Sequence, residues 1–104
     1  MAGQGTVTRE TLAALRGEID AIDARLIDLL AERFRVVERV VAVKKRDHLP
    51  ANIPQRVEDV VAAARRQAET AGLPPDLAET LWRTMVAWTI AHEERRLGKE
   101  DATS

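Results

Sequence analysis

The stretch LRGEIDAIDARLIDLLAERFRVVERVVAVKK, residues 15–45, decides the fold. Together with the residues just before it, its apolar side chains fall at Leu12, Leu15, Ile19, Ile22, Leu26, Leu29, Val36, Val40 and Val43. Steps of three and four alternate, which is the heptad seam of a helix that packs along another helix. Ala, Leu, Arg and Glu dominate, no Pro interrupts, and Gly17 is the one glycine from Thr8 to Asp47, so propensity agrees with pattern. Thr8 reads as the N-cap, with Val7 and Leu12 placed for a hydrophobic staple across it. A helix of that extent would be about 55–60 Å long, whereas a globule of this chain length has a radius of gyration of about 13 Å. Such a seam cannot be hidden inside its own small domain and calls for a second copy of the chain.

Outward from the long helix comes HLPANIPQR, residues 48–56, where Pro50 and Pro54 set up a loop. Pro54 suits the first turn of a second helix running to about Ala71. Gly72 is its natural stop, and Leu73 is placed for the hydrophobic contact that follows such a stop. Pro74 and Pro75 then precede Asp76, whose spacing to Glu79 fits a capping box. A third helix is expected to about Leu97, with Leu77, Leu81, Met85 and Trp88 on one stripe and Trp82, Val86, Thr89, Ile90 and Glu93 beside it. Gly98 is expected to end it. The reading is an all-α chain of three helices, with residues 8–98 as the domain and 1–7 and 99–104 as flexible tails.

Composition narrows the function. At 104 residues the chain suits one domain, with a modest core that gains from pairing. Sixteen basic and seventeen acidic residues leave a net charge of −1, which does not suit a general polyanion binder. Zero Cys excludes disulfides, thiolate catalysis and Cys-rich zinc sites. Three aromatic residues, Phe34, Trp82 and Trp88, make a poor base-stacking surface. There is no signal-type N-terminus and no 18-residue apolar run, so the expectation is a soluble, cytoplasmic protein. His48 and His92 do not form a metal-ligand pattern, Trp82 and Trp88 read as core anchors, and no phosphate-binding or nucleophile motif is present.

The cations are the residues a plain core does not explain. Arg33 occupies a seam position, where an arginine is costly unless its charge is paired or bound to an anion; it reads either as a snorkelling, salt-bridged core residue or as an anion ligand. Lys44 lies eleven residues on, about 20° around an ideal helix and roughly 16 Å along it, and reads alternatively as a solvated residue of the KKR run. Arg16 is about 100° off that stripe and roughly 25 Å from Arg33, so an antiparallel partner helix would have to bring it to the same small ligand; alone it reads as a surface residue. Arg56 stands in the first turn of the second helix, where the dipole disfavours a cation; a carboxylate-binding role would explain it, and so would loop chemistry. Thr89 and Glu93 are i,i+4 neighbours, and Glu93 either prolongs a buried stripe or faces solvent in HEERR.

The pattern of residues 15–45, then LPANIPQR, then AGLPPDLAETLWRTMVAWTIAHEE, resembles the all-helical class of chorismate mutases over residues 12–97. The motif is L-R-x-x-I-D-x-I-D, then A-E-R, a lysine eleven residues on, and P-x-x-x-P-x-R. The resemblance implies an intertwined homodimer with two shared sites, acting in aromatic amino acid biosynthesis without metal or cofactor. By position, Arg16 of the partner would bind one substrate carboxylate and Arg33 and Arg56 would contact carboxylates from within the protomer. Lys44 would reach the ether oxygen and a neighbouring carboxylate. Glu93 stands where many members have Gln, the second donor to that oxygen, and Thr89 at a small hydroxyl-bearing site position.

The implied reaction, a Claisen rearrangement of chorismate to prephenate, is unimolecular. It needs a dianion held in a folded conformer, which arginines can do, and stabilisation of charge growing on the ether oxygen, which an ammonium and a second donor supply. An ionised Glu93 cannot donate, so this role requires its protonated form, which burial favours and Lys44 opposes. Activity is therefore expected to fall as pH rises, and Glu93→Gln to flatten the profile. Ile53 and Val57 stand where typical chorismate mutases have acidic residues holding the C4 hydroxyl. An apolar wall there opens two alternatives, a 4-amino-4-deoxychorismate mutase of an antibiotic pathway or an isochorismate-pyruvate lyase. A non-enzyme alternative is a silent helical dimerisation module, which would form a dimer yet bind no dicarboxylate transition-state mimic.

Overall fold

The computed structural model describes residues 10–103, and side chains through residue 98. Three helices follow one another: α1 (Leu12–Asp47), α2 (Pro54–Ala71) and α3 (Pro75–Thr103), with no strand among the described residues. The chain divides into two compact units, Met1–Val36 and Val37–Ser104, and α1 contributes to both.

In the first unit α1 starts later than its pattern suggests. Residues 10 and 11 are not helical, and the Thr11 hydroxyl accepts the Ala14 N–H at 3.1 Å. That is the N-cap to N3 bond, which satisfies one of the helix's orphan donors. Thr8 and Thr11 meet the same rule; Thr11 is used, while Thr8 and the staple residue Val7 lie outside the described residues. The seam residues Leu12, Leu15, Ile19, Ile22, Leu26 and Leu29 are all exposed in the chain, as are Ile27, Leu30 and Phe34. A lone helix has no second layer in which to bury them.

In the second unit α2 and α3 form an antiparallel hairpin. Arg65 of α2 reaches Asp76 and Glu79 near the start of α3, while Glu58, further back on α2, pairs with Arg83 further along it. Ala64 and Ala68 of α2 pack on Ala78 of α3, with Trp82 against them, so small side chains let the helices approach closely. Val61 and Val86 are buried as well. The turn is closed at Gly72, whose φ of 83° is left-handed. Gly72 N–H bonds Glu69 O and Leu73 N–H bonds Ala68 O, a Schellman closure that needs no side chain. Leu73 itself stays 39% exposed.

Two expected caps are different in the structure. Pro75 opens α3, so Asp76 lies inside the first turn, and its carboxylate and that of Glu79 both accept from Arg65 in place of forming a capping box. Gly98 does not end α3, which continues to Thr103. An interior Gly costs only about 1 kcal/mol relative to Ala, and the residues after it are compatible with a helix.

The end of α1 joins this hairpin through a stripe displaced by one residue from the seam. Val37 and Val41 are buried, whereas Val36, Val40 and Val43 remain exposed. On α3 likewise, Leu77, Leu81 and Trp88 are exposed and the neighbouring stripe of Ala78, Val86 and Glu93 is buried. The core is thus made of valines and alanines, and burying each valine contributes on the order of 1.5–3 kcal/mol. The helix closes at His48, which adopts a left-handed φ of 57° and repeats the Schellman bonds: His48 N–H to Lys45 O and Leu49 N–H to Lys44 O. This reversal carries the chain into the loop that reaches Ala51.

Candidate active site

Lys44 and Glu93 meet in the second unit. The Lys44 ammonium donates to Glu93 Oε1 at 2.8 Å and to the Ala51 carbonyl at 2.9 Å. Their side chains are 15% and 7% exposed respectively. Three elements build this spot: Lys44 comes from the last turn of α1, Ala51 from the loop set by the His48 reversal, and Glu93 from the buried stripe of α3. A lysine and a glutamate withdrawn from water require each other, because either alone would leave an uncompensated charge. Lys44 has three donor hydrogens, two of them used here. The arrangement can therefore present a fixed ammonium and a carboxyl group to an oxygen atom arriving between them.

Four other expected residues belong to the same unit. Thr89, one turn before Glu93, is half-buried and donates its hydroxyl to Met85 O at 2.9 Å. Arg56 lies in the first turn of α2 and is exposed; its backbone N–H bonds Ile53 O, and its side chain has no hydrogen bond or ion pair among the described residues. Ile53 precedes Pro54 at the helix start and contributes no side-chain cap; Val57 is half-buried. An open cleft of about 410 Å³ adjoins Val57, lined also by Asn52, Val86, Ile90 and the paired Glu58 and Arg83. It contains none of the expected cations. Arg16 and Arg33 belong to the first unit, the former exposed and the latter intermediate.

Residues 15–94 match the family model described as chorismate mutase type II. This chain belongs to the chorismate mutase type II family. Among its relatives in that family, the T-protein of Enterobacter agglomerans is 44% identical over 82 residues, covering 79% of this chain and 22% of the relative. The T-protein of Haemophilus influenzae is 38% identical, over 83% of this chain and 23% of the relative. The 4-amino-4-deoxychorismate mutase of Streptomyces pristinaespiralis is 33% identical, over 82% of this chain and 66% of the relative. The chain therefore spans under a quarter of the two T-proteins. The matched region contains every expected site residue from Arg16 to Glu93.

Sequence reasoning missed a second polar cluster beside the pair. Glu38 accepts from His92 Nε2 at 2.6 Å and pairs with Arg96. His92 in turn stacks on Trp88, with ring centroids 5.3 Å apart and planes 9° from parallel. The hydrogen bond from His92, followed by that from Arg96, holds the Glu38 carboxyl below the usual carboxylate range. One signal was available: His92 and Arg96 are i,i+4 neighbours and share a helix face, so a common acidic partner was a reasonable expectation. No group of residues suited to a metal ion occurs among the described residues, and no helix among them is long and apolar enough to cross a membrane.

Proposed function

We propose that this chain is a chorismate mutase, converting chorismate to prephenate by conformational and electrostatic catalysis. The observation that carries the reading is the shielded Lys44 ammonium, fixed by Glu93 and the Ala51 carbonyl in a chain of this family. A rearrangement that breaks a C–O bond places negative charge on the ether oxygen. A preorganised ammonium in a site of low dielectric stabilises that charge without reorganisation during the reaction. Glu93, when protonated, donates to the same oxygen. Arg33 and Arg56 bind the two carboxylates and hold the folded conformer, and Thr89 lines the site.

The reading includes a homodimer in which Arg16 comes from the partner's long helix. The exposed apolar seam from Leu12 to Leu29 supports it, since a contiguous apolar face of that extent calls for a covering surface. No cofactor, metal, nucleic acid or membrane takes part, and the protein works in the cytoplasm.

A second reading, a 4-amino-4-deoxychorismate mutase, is favoured by the apolar Ile53 and Val57 and by the Streptomyces relative of that name. Neither side chain can accept a hydrogen bond from a ring hydroxyl. Purified protein offered chorismate, 4-amino-4-deoxychorismate and isochorismate in parallel, with product identification, separates the cases. Prephenate from chorismate supports the first reading. Preference for the amino compound selects the second, salicylate with pyruvate would mark a lyase, and no turnover of any would overturn an enzymatic function.

A further inference from the structure

We infer that Glu38 and His92 form a positioning pair that sets the register of α1 against α3 and thereby holds Lys44 and Glu93 in place when substrate separates them; this rests on the mutase reading above.

The contacts that tie the end of α1 to the hairpin are of two kinds. Val37 and Val41 are buried, but apolar burial is non-directional and tolerates a slide or a rotation. The directional contacts are polar: Lys44 with Glu93, Lys44 with Ala51, and Glu38 with His92 and Arg96. A substrate oxygen that enters between Lys44 and Glu93 competes with their mutual hydrogen bond, even though the third ammonium hydrogen can also reach it. Glu38, bonded to His92 and Arg96, supplies a directional tie between the two helices that does not depend on that bond.

His92 is well placed to transmit that tie. It is the residue next to Glu93, so whatever fixes its direction around α3 fixes the Glu93 backbone too. Its ring is held on its face by Trp88 and at Nε2 by Glu38, and its side chain is only 14% exposed. An ionised carboxylate can only accept, so Nε2 carries a proton in this bond. Glu38 lies between Val37 and Val41 in sequence, anchored to the buried stripe of α1. A displacement of about 1 Å at a reacting group can reduce rate about 100-fold, so a tie of this kind acts on turnover more than on binding.

The test compares wild type with Glu38→Ala, and with Glu38→Gln as a variant that preserves shape and an accepting oxygen. Two readouts are used: steady-state kinetics, and the 13C signal of the Glu93 carboxyl carbon by NMR. Glu38→Ala should lower kcat about 10- to 100-fold with KM changed by less than about threefold, and should shift or broaden the Glu93 signal. Glu38→Gln and His92→Gln should recover part of kcat, and His92→Ala none. In a Glu93→Ala background Glu38→Ala should cost much less than it does alone, because the group it positions is already gone. If Glu38→Ala keeps kcat within about twofold and leaves the Glu93 signal unmoved, the inference is overturned. If wild type turns over no substrate, the mutase reading fails, and an unmoved or displaced Glu93 signal still decides whether Glu38 positions it.

Discussion

The Lys44 ammonium lies 2.8 Å from Glu93 Oε1, between residues 49 positions apart in sequence, and both side chains are largely shielded from water. Removing one partner leaves the other charge in a poor solvent. Glu93→Ala should cost about 2–3 kcal/mol, below the 3–5 of a fully buried pair because Lys44 keeps the Ala51 carbonyl and some water. Lys44→Ala should cost at least as much, since Glu93 is the more deeply buried of the two. Urea unfolding measures both; losses below about 0.5 kcal/mol would put the pair among the surface ion pairs that contribute little.

Glu38 predicts an acid limb in the stability. Its carboxyl is lowered from the ordinary 4.5, by His92 first and Arg96 second. A group with a depressed folded pKa contributes stability that is present above its unfolded value and lost as pH falls through the folded one. The stability difference between wild type and Glu38→Gln should therefore be largest near neutrality and shrink as pH drops below the ordinary carboxylate range. Glu58 and Glu79 are lowered in the same direction by Arg83, with Arg65 also acting on Glu79, so both proteins retain some acid sensitivity. A difference that stays constant from pH 7 to pH 3 would remove Glu38 from the account.

Two helix ends use the same left-handed closure with different residues. His48 pays a steric cost for its φ of 57° that Gly72 avoids at 83°. His48→Gly should leave stability unchanged or raise it by up to about 1 kcal/mol, whereas Gly72→Ala should lower it by about 1 kcal/mol. Thermal unfolding of the two variants checks the sign. Loss of stability in His48→Gly would mean the imidazole does more than accept the turn.

How much of this was legible in the sequence follows from the range of each interaction. Helix content, Pro54 at the start of α2 and the Gly72 closure are local, fixed by spacing and by residues with restricted or permissive backbones. Pattern points to Thr8 as the cap where the structure uses Thr11, and to Gly98 as the end of α3, which the helix absorbs. The heptad steps identified one stripe of α1, yet Val37 and Val41, one position over, are the ones buried in the chain. Lys44 and Glu93 read from pattern as plausible solvent-facing residues. Their contact crosses from one helix to another, and periodicity contains no such information; only the family resemblance assigns both to one expected site. Glu38, His92 and Arg96 belong to neither the heptad nor the motif; the i,i+4 spacing of His92 and Arg96 hints at a shared acid, but that the acid is Glu38 became visible only in three dimensions.

The exposed seam makes the proposed dimer testable. Ile22 and Leu26 are 47% and 48% exposed in the chain. If a second copy covers them, Ile22→Asp with Leu26→Asp should yield a monomer in sedimentation velocity, with a large loss of helicity in the first half of α1. Turnover should fall with it, because Arg16 would no longer reach its partner's site. A double variant that sediments like wild type would show that the seam is not the contact.

The central claim is that shared cations hold a dicarboxylate for an electrostatically assisted rearrangement, and the most direct measurement is the rate of prephenate formation by Arg33→Ala beside wild type. Wild type should convert chorismate. The variant should lose turnover by at least about 100-fold, the scale expected when a preorganised charge is removed, while circular dichroism and sedimentation remain those of the parent. Near-normal turnover in a folded Arg33→Ala would contradict the account.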